Sequence, residues 1–270
     1  MTDAPIGVFD SGVGGLTVLK ALMAELPQER FIYLGDTARL PYGTKSRETV
    51  TRYASQAAEA LSEYSLKCLV VACNTAAASS LPAMRARLDG VPLVGVIEPG
   101  AQAACEASAS GHIAVIGTEG TVSGRAYDAA ILRRRSAARI SAIATQLFVA
   151  LAEEGMCDGP IALAVARHYL AALCAAGSDA PDTLVLGCTH FPMLAGTIRA
   201  AIGDEIRIVD SAATTARAVR EHIDAAGLRC RAAVSAVRFL ATDGAARFAR
   251  VGSLFLGRPI APADVELIDL

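Results

Sequence analysis

Short apolar runs alternate with longer alanine-rich segments along this chain, and this alternation constrains the fold more than any single motif. The runs are near-continuous rather than interleaved with polar residues, which is typical of parallel strands buried on both faces. The pattern therefore predicts an α/β fold with doubly wound, mostly parallel sheets. The predicted strands are 6–9, 31–34, 68–72, 93–97, 113–117, 139–143, 184–187, 206–209 and 237–242, and the predicted helices include 15–26, 46–64, 158–176 and 211–226.

Polar residues cluster where the predicted strands end, the edge at which such sheets bind ligands. They form two sets, which predicts two similar domains facing across a central cleft. We expect residues 1–97 plus 210–270 to form the first domain, which carries Cys73, and residues 98–209 to form the second, which carries Cys188. The first set is Asp10-Ser11, Asp36-Thr37 and Cys73-Asn74-Thr75, and the second is Thr118, Cys188-Thr189-His190 and Asp210-Ser211.

Composition excludes several classes of function. The chain is 53% hydrophobic and 19% charged with a net charge of −2, which indicates a sizeable core rather than disorder. Its densest basic cluster, Arg133–Arg135, has no aromatic platform beside it, so we expect no nucleic-acid partner. No apolar run reaches the roughly 18 residues that a membrane span needs, and no secretory signal is visible. We therefore expect a cytoplasmic protein with no membrane partner.

Two of the seven cysteines stand out because each ends a buried strand and precedes a predicted helix start. An odd count and the lack of a C-x-x-C pair argue against disulfides and against a zinc site, so we expect no metal. A helix N-terminus lowers a thiol's pKa, which would favour the thiolate of Cys73 and of Cys188. His190 lies two residues after Cys188 and could act as its acid or base.

Two glycine-containing loops supply groups suited to an amino-acid substrate. The turn from Asp10 to Gly15 matches neither G-x-G-x-x-G nor a Walker motif. It suits a zwitterion better, because its N–H groups attract a carboxylate while Asp10 and Ser11 accept from an ammonium. The Tyr42-Gly43 loop could offer backbone N–H groups to a second carboxylate. Either loop could also be a plain structural turn.

A pair of thiols facing one site can take a proton from one face of a carbon and return another to the opposite face. This is the chemistry of a racemase that uses no cofactor. The usual cofactor for the reaction, pyridoxal phosphate, needs a Schiff-base lysine. The chain has only Lys20, Lys45 and Lys67, and none is placed for that role. We therefore expect no cofactor.

Four segments, in order along the chain, resemble glutamate racemase. They are Asp10-Ser11-Gly12-Val13-Gly14-Gly15-Leu16, Tyr33-Leu34-Gly35-Asp36-Thr37-Ala38-Arg39-Leu40-Pro41-Tyr42-Gly43, Ala72-Cys73-Asn74-Thr75-Ala76 and Leu186-Gly187-Cys188-Thr189-His190-Phe191-Pro192. The resemblance implies a homodimeric enzyme that interconverts L- and D-glutamate for peptidoglycan. It implies that Cys73 and Cys188 exchange protons with the substrate, helped by Asp10, His190 and Glu153. The substrate-binding residues that it implies are Asp10, Ser11, Tyr42, Gly43, Asn74, Thr75, Thr118, Thr189 and His190.

One departure from the family and two alternative functions remain at this stage. Thr145-Gln146 replaces the usual Cys-Pro, and Ala150 replaces a usual proline, which could loosen the turn before Glu153. The chain could instead be a racemase of the same family that acts on aspartate or on another substrate with a carbon next to a carbonyl group. The chain could also act as a regulatory protein that binds DNA gyrase, although a pure binding protein has no need of both thiols.

Overall fold

The computed structural model describes residues 3–174, 179–230 and 236–270. Over these residues the chain alternates between strands and helices, with a few short 3-10 turns. The strands are β1 Ile6–Asp10, β2 Arg30–Gly35, β3 Cys68–Val71, β4 Leu93–Gly95, β5 His112–Gly117, β6 Arg139–Ala144, β7 Thr183–Gly187, β8 Arg207–Asp210, β9 Ala236–Ala241 and β10 Val265–Leu267. The helices are α1 Leu16–Glu25, α2 Arg47–Ser62, α3 Asn74–Ser79, α4 Leu81–Arg85, α5 Ile97–Ala107, α6 Glu119–Ser123, α7 Ala126–Arg134, α8 Leu147–Glu153, α9 Gly159–Cys174, α10 Ala195–Ile202, α11 Ser211–Ala225 and α12 Ala245–Leu256.

The strands form two separate parallel sheets. The first has six strands in the order β10-β9-β2-β1-β3-β4, and the second has four in the order β6-β5-β7-β8. In the first sheet, β1 pairs with β2 and β3, so that Phe9 lies between Leu34 and Val71. In the second, β5 pairs in parallel with β6 and β7. This topology confirms the predicted α/β fold with mostly parallel sheets.

The central strands are buried along their whole length, as their apolar sequences predict. Every residue of β1, β3, β5 and β7 is buried, and helices cover the sheets. Removing this apolar surface from water stabilises the fold by roughly 25 cal/mol per Å². The buried strands provide a rigid base for the loops at their carboxyl ends.

Several of the helices begin at a residue whose side chain caps the first turn. Ser46 accepts a hydrogen bond from the backbone N–H of Thr49 at the start of α2, and Asp210 accepts one from Ala212 at the start of α11. α11 then packs against α1 of the first half and against α5 of the second half. It therefore ties the two halves together.

Strand membership bears on the domain boundaries. The first sheet draws its strands from residues 6–95 and 236–267, and the second draws its strands from residues 112–210. These positions are compatible with one domain of residues 1–97 plus 210–270 and another of residues 98–209. That these two parts are separate domains remains a prediction.

The structure corrects the sequence interpretation at two strands. The strand predicted for 93–97 ends at Gly95, because α5 already begins at Ile97 and its first turn accommodates Pro99. The strand Val265–Leu267 was not predicted, since three residues at a sheet edge carry little periodicity. The last two residues of the predicted helix 158–176 lie outside the described residues. None of the described helices has the length and apolar composition to span a membrane.

Candidate active site

A small cleft of about 40 Å³ lies between the carboxyl ends of the two sheets. It receives loops from both halves of the chain, as expected for an α/β fold of this kind. A larger groove among α4, α5 and α11 contains neither of the two strand-end thiols, so volume alone does not identify the site. All the predicted site residues except Asp10 line the cleft. Its walls comprise Ser11, Gly12, Leu40, Pro41, Tyr42, Gly43, Cys73, Asn74, Thr75, Thr118, Gln146, Val149, Glu153, Cys188, Thr189 and His190.

Cys73 lies at the end of β3 and caps the start of α3. Its sulfur accepts the backbone N–H of Ala76 at 3.5 Å, and its S–H reaches Ser11 Oγ at 3.5 Å. Burial and the negative charges of Asp10 and Cys188 raise the pKa of Cys73 to about 12. The expectation that the helix start lowers this pKa is therefore wrong, because loss of water outweighs the pull of a short helix.

Cys188 lies at the end of β7, but no helix begins there. A turn occupies 188–190, the 3-10 helix Phe191–Leu194 follows, and α10 starts only at Ala195. The predicted helix start after Cys188 is therefore wrong, and Pro192 occupies the first turn of the 3-10 helix. The close partner of the thiol is instead a side chain, since Cys188 Sγ lies 3.8 Å from His190 Nδ1.

His190 links Cys188 to a carboxylate from another element. Its Nε2 lies 3.1 Å from Glu153 Oε1 at the end of α8. Burial opposes a charge on the ring, but hydrogen bonds with Cys188 and Glu153 outweigh it and raise the pKa of His190 to about 10. The imidazolium form is therefore favoured at neutral pH, next to the Cys188 sulfur.

Glu153 is held between His190 and a cation from helix α12, near the C-terminus. Arg247 on α12 donates to Glu153 Oε2 at 2.8 Å. Burial favours the neutral carboxyl, but His190 and Arg247 outweigh it, and the net effect is a lowered pKa for Glu153. Sequence reasoning missed Arg247, because it comes from a helix 94 positions further along the chain.

Asp10 lies beneath the cleft and touches both halves of the site. Its carboxylate accepts the backbone N–H of Gly12 at 3.0 Å and the hydroxyl of Thr189 at 3.5 Å. Burial raises the pKa of Asp10, although the charge on His190 opposes the shift. Among the described residues, Asp10 makes no hydrogen bond to Cys73 and influences it through its charge.

Gly14 permits this close approach of the two halves. A Cβ at Gly14 would lie 2.4 Å from both the His190 ring and the Thr189 hydroxyl. No side chain fits in that space, so glycine at position 14 lets the turn pack directly against His190 and Thr189.

Hydroxyl and amide groups line the rest of the cleft. Thr75 and Thr118 come from different halves and share a hydrogen bond of 2.9 Å, with Thr121 beside them. The amide oxygen of Asn74 accepts from Tyr127 at 2.8 Å, which fixes the side chain. The amide nitrogen of Asn74 is buried and has no partner among the described residues, so it is free to bind a ligand's acceptor.

The hydroxyl of Tyr42 is already held by a buried carboxylate. The Tyr42 hydroxyl donates to buried Asp36, which Arg39 and Thr242 also contact. A Cβ on Gly43 would lie 2.7 Å from Thr118 Cβ, so only glycine lets this loop approach the second half.

Comparisons with known proteins agree with this architecture. Residues 11–219 match the family described as Asp/Glu/Hydantoin racemase. A glutamate racemase of Geobacter metallireducens is 51% identical over 98% of this chain and 96% of its own length. The crystal structure of glutamate racemase isoform RacE1 from Bacillus anthracis superposes with a TM-score of 0.93 at 35% identity, covering 99% of this chain and 98% of that one.

A second solved structure contains a bound amino acid. The glutamate racemase of Francisella tularensis, in complex with D-glutamate, superposes with a TM-score of 0.91 at 32% identity, covering 99% of this chain and 98% of that one. These similarities extend over nearly the whole length of each protein, which confirms the resemblance found from the four segments. The chain belongs to the Asp/Glu/Hydantoin racemase family.

Proposed function

We propose that this chain interconverts L- and D-glutamate by moving protons at Cα between two cysteines. The observation that carries the proposal is that Cys73 and Cys188 come from different sheets and line one cleft. Inverting a stereocentre requires a base on one face and an acid on the other, and two thiols entering from opposite halves meet that requirement.

In each turnover one sulfur is a thiolate and the other a thiol. The thiolate takes the Cα proton and becomes a thiol, which leaves the electron pair of the broken C–H bond on the substrate. The second thiol then gives its proton to the opposite face and becomes the thiolate. The reverse reaction exchanges the two roles, so no electron or atom is gained or lost overall.

The environments of the two sulfurs support this exchange. A protonated His190 stabilises a thiolate at Cys188, and Glu153 with Arg247 keeps the ring oriented. Cys73 is held by Ser11 and lies close enough to Asp10 to interact with its charge. We propose that His190, Glu153 and Asp10 assist the two thiols in this way.

The substrate carboxylate next to Cα must carry part of the negative charge during proton transfer. The amide nitrogen of Asn74, the hydroxyls of Thr75, Thr118 and Thr189, and the backbone of Gly43 are the donors that we propose for the two carboxylates of glutamate. Preorganised donors of this kind stabilise developing enolate-like charge better than water does. Asp10 and Ser11 would accept from the ammonium group.

The lysines support a mechanism without pyridoxal phosphate. None of the three lines the cleft, and Lys67 instead pairs with buried Glu29 and donates to the carbonyl of Leu228. We further propose, from the family resemblance, that the enzyme is a cytoplasmic homodimer that supplies D-glutamate for peptidoglycan. Binding to DNA gyrase has no specific support in the residues described.

Chiral chromatography of purified protein incubated with L-glutamate tests the proposal. With no cofactor added, we expect D-glutamate to accumulate until the two enantiomers are equal. A parallel incubation with L-aspartate should give far slower racemisation. Faster turnover of aspartate would select the alternative substrate, and inactivity with every amino acid tried would contradict the racemase assignment.

A further inference from the structure

Gln146 is a cleft residue to which the family resemblance gives no role. It immediately precedes α8, and the same helical face carries Val149 and Glu153 at spacings of three and seven residues. All three side chains line the cleft. This face of α8 forms one wall of the cleft. Gln146 lies at one end of the wall, and Glu153 with its partner His190 lies at the other, about 10 Å away along the helix.

The amide group of Gln146 is aimed at the loop of the first half. Its Oε1 would lie 3.1 Å from a Cβ placed on Gly43, so the two residues are in close contact. That oxygen is buried and has no hydrogen-bond partner among the described residues. A buried polar atom without a partner is costly, which indicates that a bound ligand completes this environment.

The charges around the cleft indicate which part of the substrate Gln146 meets. At the His190 end, Glu153 is already paired with His190 and Arg247, so Asp10 is the carboxylate left to attract the ammonium group. The Gly43 end has no acidic side chain lining it. A half-turn about the last side-chain bond of Gln146 exchanges its oxygen and nitrogen, so that the amide can donate to an anion there.

The cleft has two side-chain amides with an unpartnered buried atom among the described residues, Asn74 and Gln146. Glutamate has two carboxylates. We infer that Gln146 donates its amide N–H to the distal carboxylate of glutamate, beside Gly43, and that it helps select a five-carbon diacid. This inference rests on the proposed function, because it assumes that glutamate is the substrate.

Two substitutions of Gln146 test the inference through steady-state kinetics with L- and D-glutamate. Gln146→Met keeps the length of the side chain but removes the donor, and should raise KM about tenfold, which is the value of one charged hydrogen bond. Gln146→Glu adds repulsion and should raise KM about a hundredfold. In both variants kcat should stay within about threefold of wild type, because the contact is the same in ground and transition states.

Gln28→Glu is the matched control, since it makes the same change of charge at an exposed turn. It should leave KM and kcat unchanged. A wild-type KM in Gln146→Glu would overturn the inference, and a lowered KM would do so too, because it would place the ammonium at Gln146. If wild-type protein does not racemise glutamate, the proposed function fails as well; if wild type is active and both variants match it, only the inference fails.

Discussion

The two thiols occupy equivalent places at the ends of β3 and β7, but their surroundings differ. Cys73 touches a neutral hydroxyl, and burial with nearby negative charge raises its pKa to about 12. Cys188 lies beside an imidazole whose own pKa is raised to about 10 by Cys188 and Glu153 despite its burial. The Cys73 side therefore favours a protonated sulfur, and the Cys188 side offers a cation to an ionised one. Similar strand ends thus place the two sulfurs in unequal surroundings, one beside a hydroxyl and one beside an imidazole.

The largest expected effect comes from removing either sulfur. Cys73→Ala and Cys188→Ala should each lower kcat for racemisation by about ten-thousandfold, because each removes an acid or base that the other half cannot replace. Cys105→Ala is the control, since this partly buried cysteine lies on α5 outside the cleft. Chiral chromatography gives the rates, and substantial racemisation by either cleft variant would reject the pairing of the two thiols.

A smaller effect is expected from His190, since Cys73 has no such cationic neighbour among the described residues. His190→Asn should lower kcat by about a hundredfold, since a polar group remains but the positive charge is lost. The pH profile provides the specific readout. His190 is charged below its raised pKa, so wild-type activity that depends on this charge should be lost as pH rises through about 10. The variant should lack that alkaline step, and an unchanged step would assign it to another group.

Replacing Arg247 with alanine should lower kcat by about threefold to tenfold, because Arg247 acts on Cys188 only through Glu153 and His190. It is one of the groups that lower the pKa of Glu153, so Arg247→Ala should raise that pKa. Activity that needs the ionised carboxylate is lost as pH falls through its pKa, and the acid limb of the profile should therefore move to higher pH. Arg250→Ala, at an exposed position on the same helix, should leave the profile in place.

The smallest effect is expected at Ser11, the partner of Cys73. Ser11→Ala removes a weak contact of 3.5 Å to a sulfur, and kcat should fall only about twofold to fivefold. Its pH profile should keep the alkaline step of wild type. Comparing kcat of Ser11→Ala with kcat of His190→Asn under the same conditions measures how unequal the surroundings of Cys73 and Cys188 are. Equal losses of kcat would contradict the difference between them.

Much of this arrangement could be predicted from the sequence, because buried strands and the residues after them leave local patterns. From their positions after apolar runs, Cys73 and Asn74 could be placed at the carboxyl end of one parallel sheet, and Cys188 and His190 at that of the other. The raised pKa of Cys73 could not be predicted, since it depends on burial that arises only when the two halves of the molecule meet. The contact between Arg247 and Glu153 could not be predicted either, because no local sequence pattern joins α12 to Glu153.

Gln146 shows a second kind of feature that could not be predicted from the sequence. From the sequence it is a departure from the family pattern, expected at most to loosen a turn. In the structure it lines the cleft against Gly43, with its amide oxygen buried and unpartnered among the described residues. The orientation of a single side chain at a helix start decides between these interpretations, and periodicity carries no information about it.

The isotopic content of both enantiomers, measured early in a wild-type reaction in heavy water, tests the two-thiol account most directly. Starting from L-glutamate, the account predicts that the first D-glutamate formed carries one deuterium at Cα, delivered by the second sulfur. The remaining L-glutamate should carry almost none, because the proton that one sulfur removes is not returned to the same face. Equal deuterium in both enantiomers at low conversion, or D-glutamate that retains the original proton, would contradict the account and indicate a single base.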